Sequence, residues 1–186
     1  ARRQRRRRLT SRRPIRIHAH YAFGDDAPTA LTQHIENLLM PNAIEKWTSA
    51  LSVDRVSAPL TFSRLCNWTY HSFSNGAPDV CISYESPTTC GDAIVPSSWL
   101  KSQRFCKTCQ YDGSCSECTT LPAGAGVPDA ALVLIVTAED QSTCTASPTT
   151  LAWAEPCQRD QYDRPVLGAV NFCPTAMQSS NQGSDL

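Results

Sequence analysis

The 186-residue sequence has no apolar run long enough to cross a bilayer. The longest, 130–138, is nine residues, against about 20 for a transmembrane helix. There is no Gly-x-Ser-x-Gly elbow, no phosphate loop and no dinucleotide fingerprint, which removes the common signatures of serine hydrolases and nucleotide-dependent enzymes. Ala1 stands where an initiator Met would, with no apolar leader core after it, so the sequence reads as a processed or partial chain. Acidic residues are absent from 1–16, which hold nine of the fourteen arginines and leave eight basic against 17 acidic residues in the remainder. A basic arm binds phosphate without sequence preference, but this acidic body has no basic patch to continue such a footprint, and no nucleic-acid partner is expected. Residues 1–13 read instead as a disordered or processing segment.

Histidine is scarce: His18, His20, His34 and His71. A helical zinc pair needs two at i and i+4 so that both rings reach one metal, and that spacing does not occur. His18 and His20 can share one face of a strand, but two ligands do not make a site, and they read as solvated strand residues. The pairs Asp25-Asp26 and Asp160/Asp163 read as caps and turn formers rather than catalytic carboxylates.

Cysteine is what the sequence has in quantity: Cys66, Cys81, Cys90, Cys106, Cys109, Cys115, Cys118, Cys144, Cys157 and Cys173. An even number spread through polar, Pro-rich segments points to disulfides and an oxidising compartment, with the connectivity open. The triplet Asn67-Trp68-Thr69 is an N-glycosylation acceptor and points to the same compartment, at the cell surface or outside it. Cys106-x-x-Cys109 and Cys115-x-x-Cys118 raise structural zinc as an alternative. Paired knuckles are usually separated by about 15–20 residues, whereas only positions 110–114 intervene here, and disulfides are the stronger reading.

Hydrophobic periodicity sketches an α/β (α+β) plan. Alternation over 15–21 predicts a strand with Ile15, Ile17, Ala19 and Tyr21 facing a core. Leu31, Ile35, Leu38, Leu39, Ile44, Trp47 and Leu51 predict a helix over 28–51, kinked or divided at Pro41, with Gly24-Asp25-Asp26 supplying its cap. A short strand is predicted at 53–56. Residues 58–125 hold seven cysteines with little periodicity and read as a long stapled insertion. The run 130–138, apolar on both faces, predicts an interior strand. Strands at 151–155 and 166–172, joined by a turn-rich link, and a polar tail over 177–186 complete the plan. With only one helix to cover strand 130–138, several Val, Leu and Ile side chains are expected to need cover at roughly 1.5–3 kcal/mol each. A companion is therefore expected, either a missing C-terminal half or another protein chain.

Several segments resemble the leishmanolysin family of zinc metalloendopeptidases. They are Gly126-Val127-Pro128-Asp129-Ala130 with the strand after it, and Thr150-Leu151-Ala152-Trp153-Ala154-Glu155-Pro156-Cys157-Gln158-Arg159-Asp160-Gln161-Tyr162-Asp163-Arg164-Pro165. Residues 168–172 with Cys173-Pro174 continue the likeness, and Pro14-Ile15-Arg16-Ile17 and Leu39-Met40-Pro41-x-Ala43-Ile44-x-x-Trp47 extend it toward the start. It covers roughly 14–176 and implies the N-terminal half of a metzincin-like catalytic domain. That fold carries a twisted mixed sheet followed by a His-Glu-x-x-His helix, where zinc activates water for peptide hydrolysis. The sequence has no His-Glu-x-x-His, so no catalytic residue or zinc ligand is transferred to it. The resemblance implies that Leu151, Ala152, Trp153, Ala154 and Glu155 form the edge strand bordering the substrate cleft. It implies zinc as cofactor, a protein or peptide substrate, a secreted or surface location, and any membrane association through parts outside this sequence. A structural or adhesive module that kept the sheet without catalysis is the alternative.

Overall fold

The structure, a computed structural model, describes residues 12–54, 57–71, 79–110 and 114–181. In chain order its strands are β1 (Arg12–Pro14), β2 (Ile17–Tyr21), β3 (Ser52–Asp54), β4 (Cys66–Tyr70), β5 (Val80–Tyr84), β6 (Thr89–Cys90), β7 (Ala93–Ile94), β8 (Gln103–Cys109), β9 (Cys115–Leu121), β10 (Leu132–Ala138), β11 (Ala152–Arg159) and β12 (Pro165–Phe172). The chain divides into two compact units, one formed by Ala1–Ala58 with Asp129–Leu186 and the other by Pro59–Pro128.

The first unit is a mixed four-stranded sheet in the order β11-β12-β10-β2. Strand β10 runs parallel to both β2 and β12, while β11 returns antiparallel on the outer side of β12. The predicted interior strand is found, and Val133, Ile135 and Val136 are fully buried. The expectation that several of its side chains lie wet does not hold; they are covered within the chain. Strand alternation puts Ala19, Tyr21, Leu134, Val136, Ala138 and Phe172 on one face, packed against Leu31, Ile35, Leu39, Met40 and Ile44 of the long helix. Burial of each large aliphatic here contributes roughly 1.5–3 kcal/mol.

That helix, α1, runs as Thr29–His34, a π-helical turn Ile35–Leu39, and Met40–Ala50. The π turn is the physical answer to Pro41, which lacks the N–H that its fourth predecessor would accept. The amide of Met40 bonds back to the Ile35 carbonyl five residues earlier, so the helix continues where an α-helical ladder would break. The wide turn also rotates the inward stripe. Leu38, Trp47 and Leu51, read from sequence as part of that stripe, are exposed instead. The predicted cap at Gly24-Asp25-Asp26 is not used; Pro28 occupies the N-cap without a side-chain bond.

Regular structure extends into both the predicted Arg-rich segment and the predicted polar tail. Residues 1–11 of the Arg-rich segment lie outside the described residues, but Arg12–Pro14 forms β1, pairing antiparallel with β3 through Arg12 and Asp54. The predicted strand at 53–56 is Ser52–Asp54, with 55–56 outside the description. At the other end, Ser142–Ala146 forms helix α2, and Pro174–Asn181 forms helix α3 across part of the predicted polar tail. Pro174 suits a first helical turn. The Asp140 carboxylate accepts from the Thr175 amide at 3.2 Å and from its hydroxyl at 2.5 Å, placing negative charge at the positive end of α3.

The second unit is more regular than its sequence indicates. A four-stranded sheet runs in the order β4-β5-β8-β9, beside the small β6-β7 pair. Disulfides join Cys66 to Cys81, Cys106 to Cys118 and Cys109 to Cys115, and a fourth, in the first unit, joins Cys144 to Cys173. No described cysteine is free. The zinc alternative is overturned by register. Cys106 faces Cys118 and Cys109 faces Cys115 directly across the β8–β9 ladder. A spacing of three along β8 turns Cys106 and Cys109 to opposite faces, so four thiolates cannot converge on one ion. Gly126 has φ +77°, and a Cβ there would lie 2.7 Å from the Leu60 carbonyl oxygen, so this turn requires glycine.

Candidate functional site

The candidate site is the outer edge of the first unit's sheet at residues 151–155, where no other described strand pairs with β11. Strand β11 is hydrogen-bonded to β12 alone among the strands. The register pairs Ala152 with Phe172, Trp153 with Asn171, Ala154 with Val170 and Glu155 with Ala169. One step before the strand, the Cys173 amide donates to the Leu151 carbonyl at 2.9 Å. In an antiparallel ladder, bonded and non-bonded pairs alternate. Leu151, Trp153 and Glu155 therefore turn their main-chain groups inward to β12, while Ala152 and Ala154 turn theirs outward. Pro156 falls on the outward parity, where its missing N–H costs no ladder bond, and the register shifts just after it. The edge thus offers two outward amides, those of Ala152 and Ala154, whose side chains are small and exposed.

The five predicted edge residues divide accordingly. Leu151 precedes the strand and is exposed. Trp153 packs against the Cys144–Cys173 disulfide and Ala176, so its side chain anchors the strand. Glu155 is exposed. Gly168 sits beneath it on β12, and a Cβ there would meet the Glu155 carbonyl oxygen at 2.9 Å. Only glycine allows β11 to lie this close. The sequence reading missed the alternation of outward amides, although Pro156 carried the signal: a proline inside a strand marks an edge.

Both ends of this edge are pinned. At the β11–β12 turn, the Asp160 carboxylate accepts from the amides of Tyr162 (2.9 Å) and Arg164 (3.0 Å) and from Arg164 Nε (3.0 Å). Burial works to raise its pKa, but the Arg164 and Tyr162 amides, the Arg164 charge and its side-chain bond outweigh burial and hold the carboxyl below the usual aspartate value. The expectation that Asp160 and Asp163 form a turn is met, Asp163 adopting φ 61°. At the other end, the buried Asn171 amide accepts from the Thr137 hydroxyl at 2.8 Å and from the Glu139 amide at 3.1 Å, and donates to the Glu139 carbonyl at 2.9 Å. This locks the C-terminal ends of β10 and β12 together, with every polar atom of the Asn171 side chain satisfied.

The histidines do not assemble. His18 is exposed on β2, His20 is half-buried on the same face, His34 ends the first part of α1, and His71 pairs with Asp79 at 3.0 Å. Burial, then the neighbouring His18, lowers the pKa of His20. Among the described residues no group of three or more His, Cys, Asp or Glu side chains is placed to hold a metal.

Comparison with known proteins decides the family. The family model described as Leishmanolysin matches residues 100–184, which include β10, β11, β12 and the whole candidate edge. The leishmanolysin-like peptidase of Caenorhabditis elegans is 33% identical over 177 residues, covering 93% of this chain and 26% of the relative. This chain belongs to the leishmanolysin family. The leishmanolysin-like peptidase of Drosophila pseudoobscura pseudoobscura is 29% identical, over 96% of the chain and 26% of the relative. A ciliated left-right organizer metallopeptidase of Xenopus laevis is 26% identical, over 86% and 22%. The chain spans about a quarter of the length of these curated relatives. Its place is in a metallopeptidase family, and the disulfide framework matches an oxidising compartment. No helix among the described residues is long and apolar enough to cross a membrane.

Proposed function

We propose that this leishmanolysin-like chain is the N-terminal part of the catalytic region of a secreted or cell-surface zinc endopeptidase, and that β11 is where the peptide substrate is held. The zinc ligands and the catalytic base belong, in this reading, to the rest of a longer protein. The single observation that carries the proposal is the outer side of β11 at Ala152 and Ala154, where two outward amides carry small, exposed side chains and no described strand pairs with them. An extended peptide adds to such an edge as a further strand, main chain to main chain, so that affinity does not depend on its side-chain sequence. The buried Asn171, the disulfide under Trp153 and the Asp160 turn hold the edge in place, so little ordering entropy is lost when the peptide docks.

The test is the full-length, zinc-loaded protein with an unstructured protein substrate. The substitution Ala154→Pro deletes one outward amide and leaves the β11–β12 ladder its donors. It is expected to lower kcat/KM about tenfold, the worth of one hydrogen bond of about 1–1.5 kcal/mol. Cleavage undiminished by Ala154→Pro, in a variant with wild-type stability, would remove β11 from the substrate site. A full-length protein that takes up zinc and cleaves nothing would point to the non-catalytic structural or adhesive module.

A further inference from the structure

A different surface carries a modification site. Strand β4 is the outer strand of the second unit's sheet. Its ladder with β5 pairs Cys66 with Tyr84 and Trp68 with Ser83, and the register shifts between them, so Asn67 is the residue left out of the pairing. Asn67 is exposed, and Trp68 beside it is 70% exposed. Asn67-Trp68-Thr69 is also the one Asn-x-Ser/Thr triplet in the sequence.

We propose that Asn67 carries an N-linked oligosaccharide that shields the β4 edge. The triplet supplies the acceptor chemistry, and the disulfides mark the compartment in which the transfer occurs. The local geometry adds what the triplet alone lacks. Asn67 is exposed on an outer strand, and its side-chain amide takes no part in the backbone ladder, so a substituent there projects into open space and the strand pairing is left intact. The donor is a lipid-diphosphate-linked oligosaccharide. The Asn67 amide nitrogen bonds to the anomeric carbon of the first sugar, the bond from that carbon to the diphosphate oxygen breaks, and the amide gives up one proton as the lipid diphosphate leaves. No oxidation or reduction takes place. A bare outer strand with an exposed tryptophan is a template for pairing with another chain, and a bulky hydrophilic substituent on it blocks that approach. This inference stands independently of the peptidase reading.

The experiment is intact-mass measurement of the chain secreted by a eukaryotic host, before and after peptide N-glycosidase. The expected result is a mass above that of the oxidised polypeptide that collapses on digestion, with Asn67 recovered as Asp in its peptide. Thr69→Ser keeps the added mass and Thr69→Ala loses it. If Thr69→Ala is not secreted, digestion of the wild-type chain decides. A secreted wild-type chain at the bare polypeptide mass overturns the proposal. Sedimentation of the folded protein before and after digestion tests the shielding, with self-association rising on digestion; identical profiles would leave the edge unguarded by the glycan and overturn that part.

Discussion

Strands β10 and β8 are both seven residues long, yet they are held in place by different forces. Strand β10, Leu132-Val133-Leu134-Ile135-Val136-Thr137-Ala138, is buried almost throughout and paired on both sides. Strand β8, Gln103-Arg104-Phe105-Cys106-Lys107-Thr108-Cys109, buries only Cys106 fully and is tied to β9 by two cystines. Where the sequence supplies contiguous aliphatic residues, area removed from water suffices. Where it supplies polar ones, cross-links that narrow the unfolded ensemble take over. The difference matters for function: the strand bearing the candidate site belongs to the unit held by packing.

The comparison can be broken by removing each force separately. Ile135→Ala is expected to cost about 2–5 kcal/mol through the cavity it leaves, read as a lowered denaturant midpoint, with amide exchange accelerated in β10 and β12 and protection kept in β8 and β9. Equal loosening of both units would show that they are not separately held. The paired change Cys106→Ser with Cys118→Ser is the converse, with an expected loss of about 2–4 kcal/mol confined to β8 and β9. Gly168→Ala sharpens the picture at the edge. It forces β11 away from β12 at an expected cost of about 1–3 kcal/mol, and in the full-length enzyme it should raise KM for protein substrates as the rim shifts.

Smaller effects come from ionisable groups. Asp160→Ala should lose about 1–1.5 kcal/mol. Because the folded-state pKa of Asp160 is lowered, its contribution is present above the ordinary aspartate range and disappears as the pH falls through the folded value. A variant whose acid limb of stability matches wild type would contradict this. The slightest effect is at His20. Its pKa is also lowered on folding, so the unfolded chain binds more protons and stability should fall as the pH drops below about 6.5, the unperturbed value. His20→Gln should flatten that slope in a pH series of thermal melts.

The packed unit was legible because its strands announce themselves. The doubly apolar run gave β10, alternation gave β2, and the turn residues around Asp160 gave the β11–β12 link. The helix was legible in extent but not in facing, since the wide turn at Ile35–Leu39 rotates the stripe, so that Ile44 stays inward while Trp47 lies outside. The cystine-rich unit was not legible as sheet. Strands β8 and β9 carry Thr, Ser and Cys on both faces and give little apolar alternation, while the short alternation Val80, Ile82, Tyr84 of β5 is only five residues long among loop-like neighbours. Of the candidate edge, position was readable but not the outward alternation at Ala152 and Ala154, which depends on a register that only the partner strand defines.

The pairing of β2 with β10 joins residue 17 to residue 132, and this has a consequence for biosynthesis. At translation rates of about 5–20 residues per second, β2 emerges roughly 6–23 s before the strand it must lie beside. In that interval the stretch 59–128 has already appeared in full and can close its own cystines, while the first strand and the apolar side of α1 wait without a partner. The order of synthesis therefore favours closure of the unit 59–128 before the sheet that carries the proposed cleft can assemble, since that sheet needs residues from both ends of the sequence.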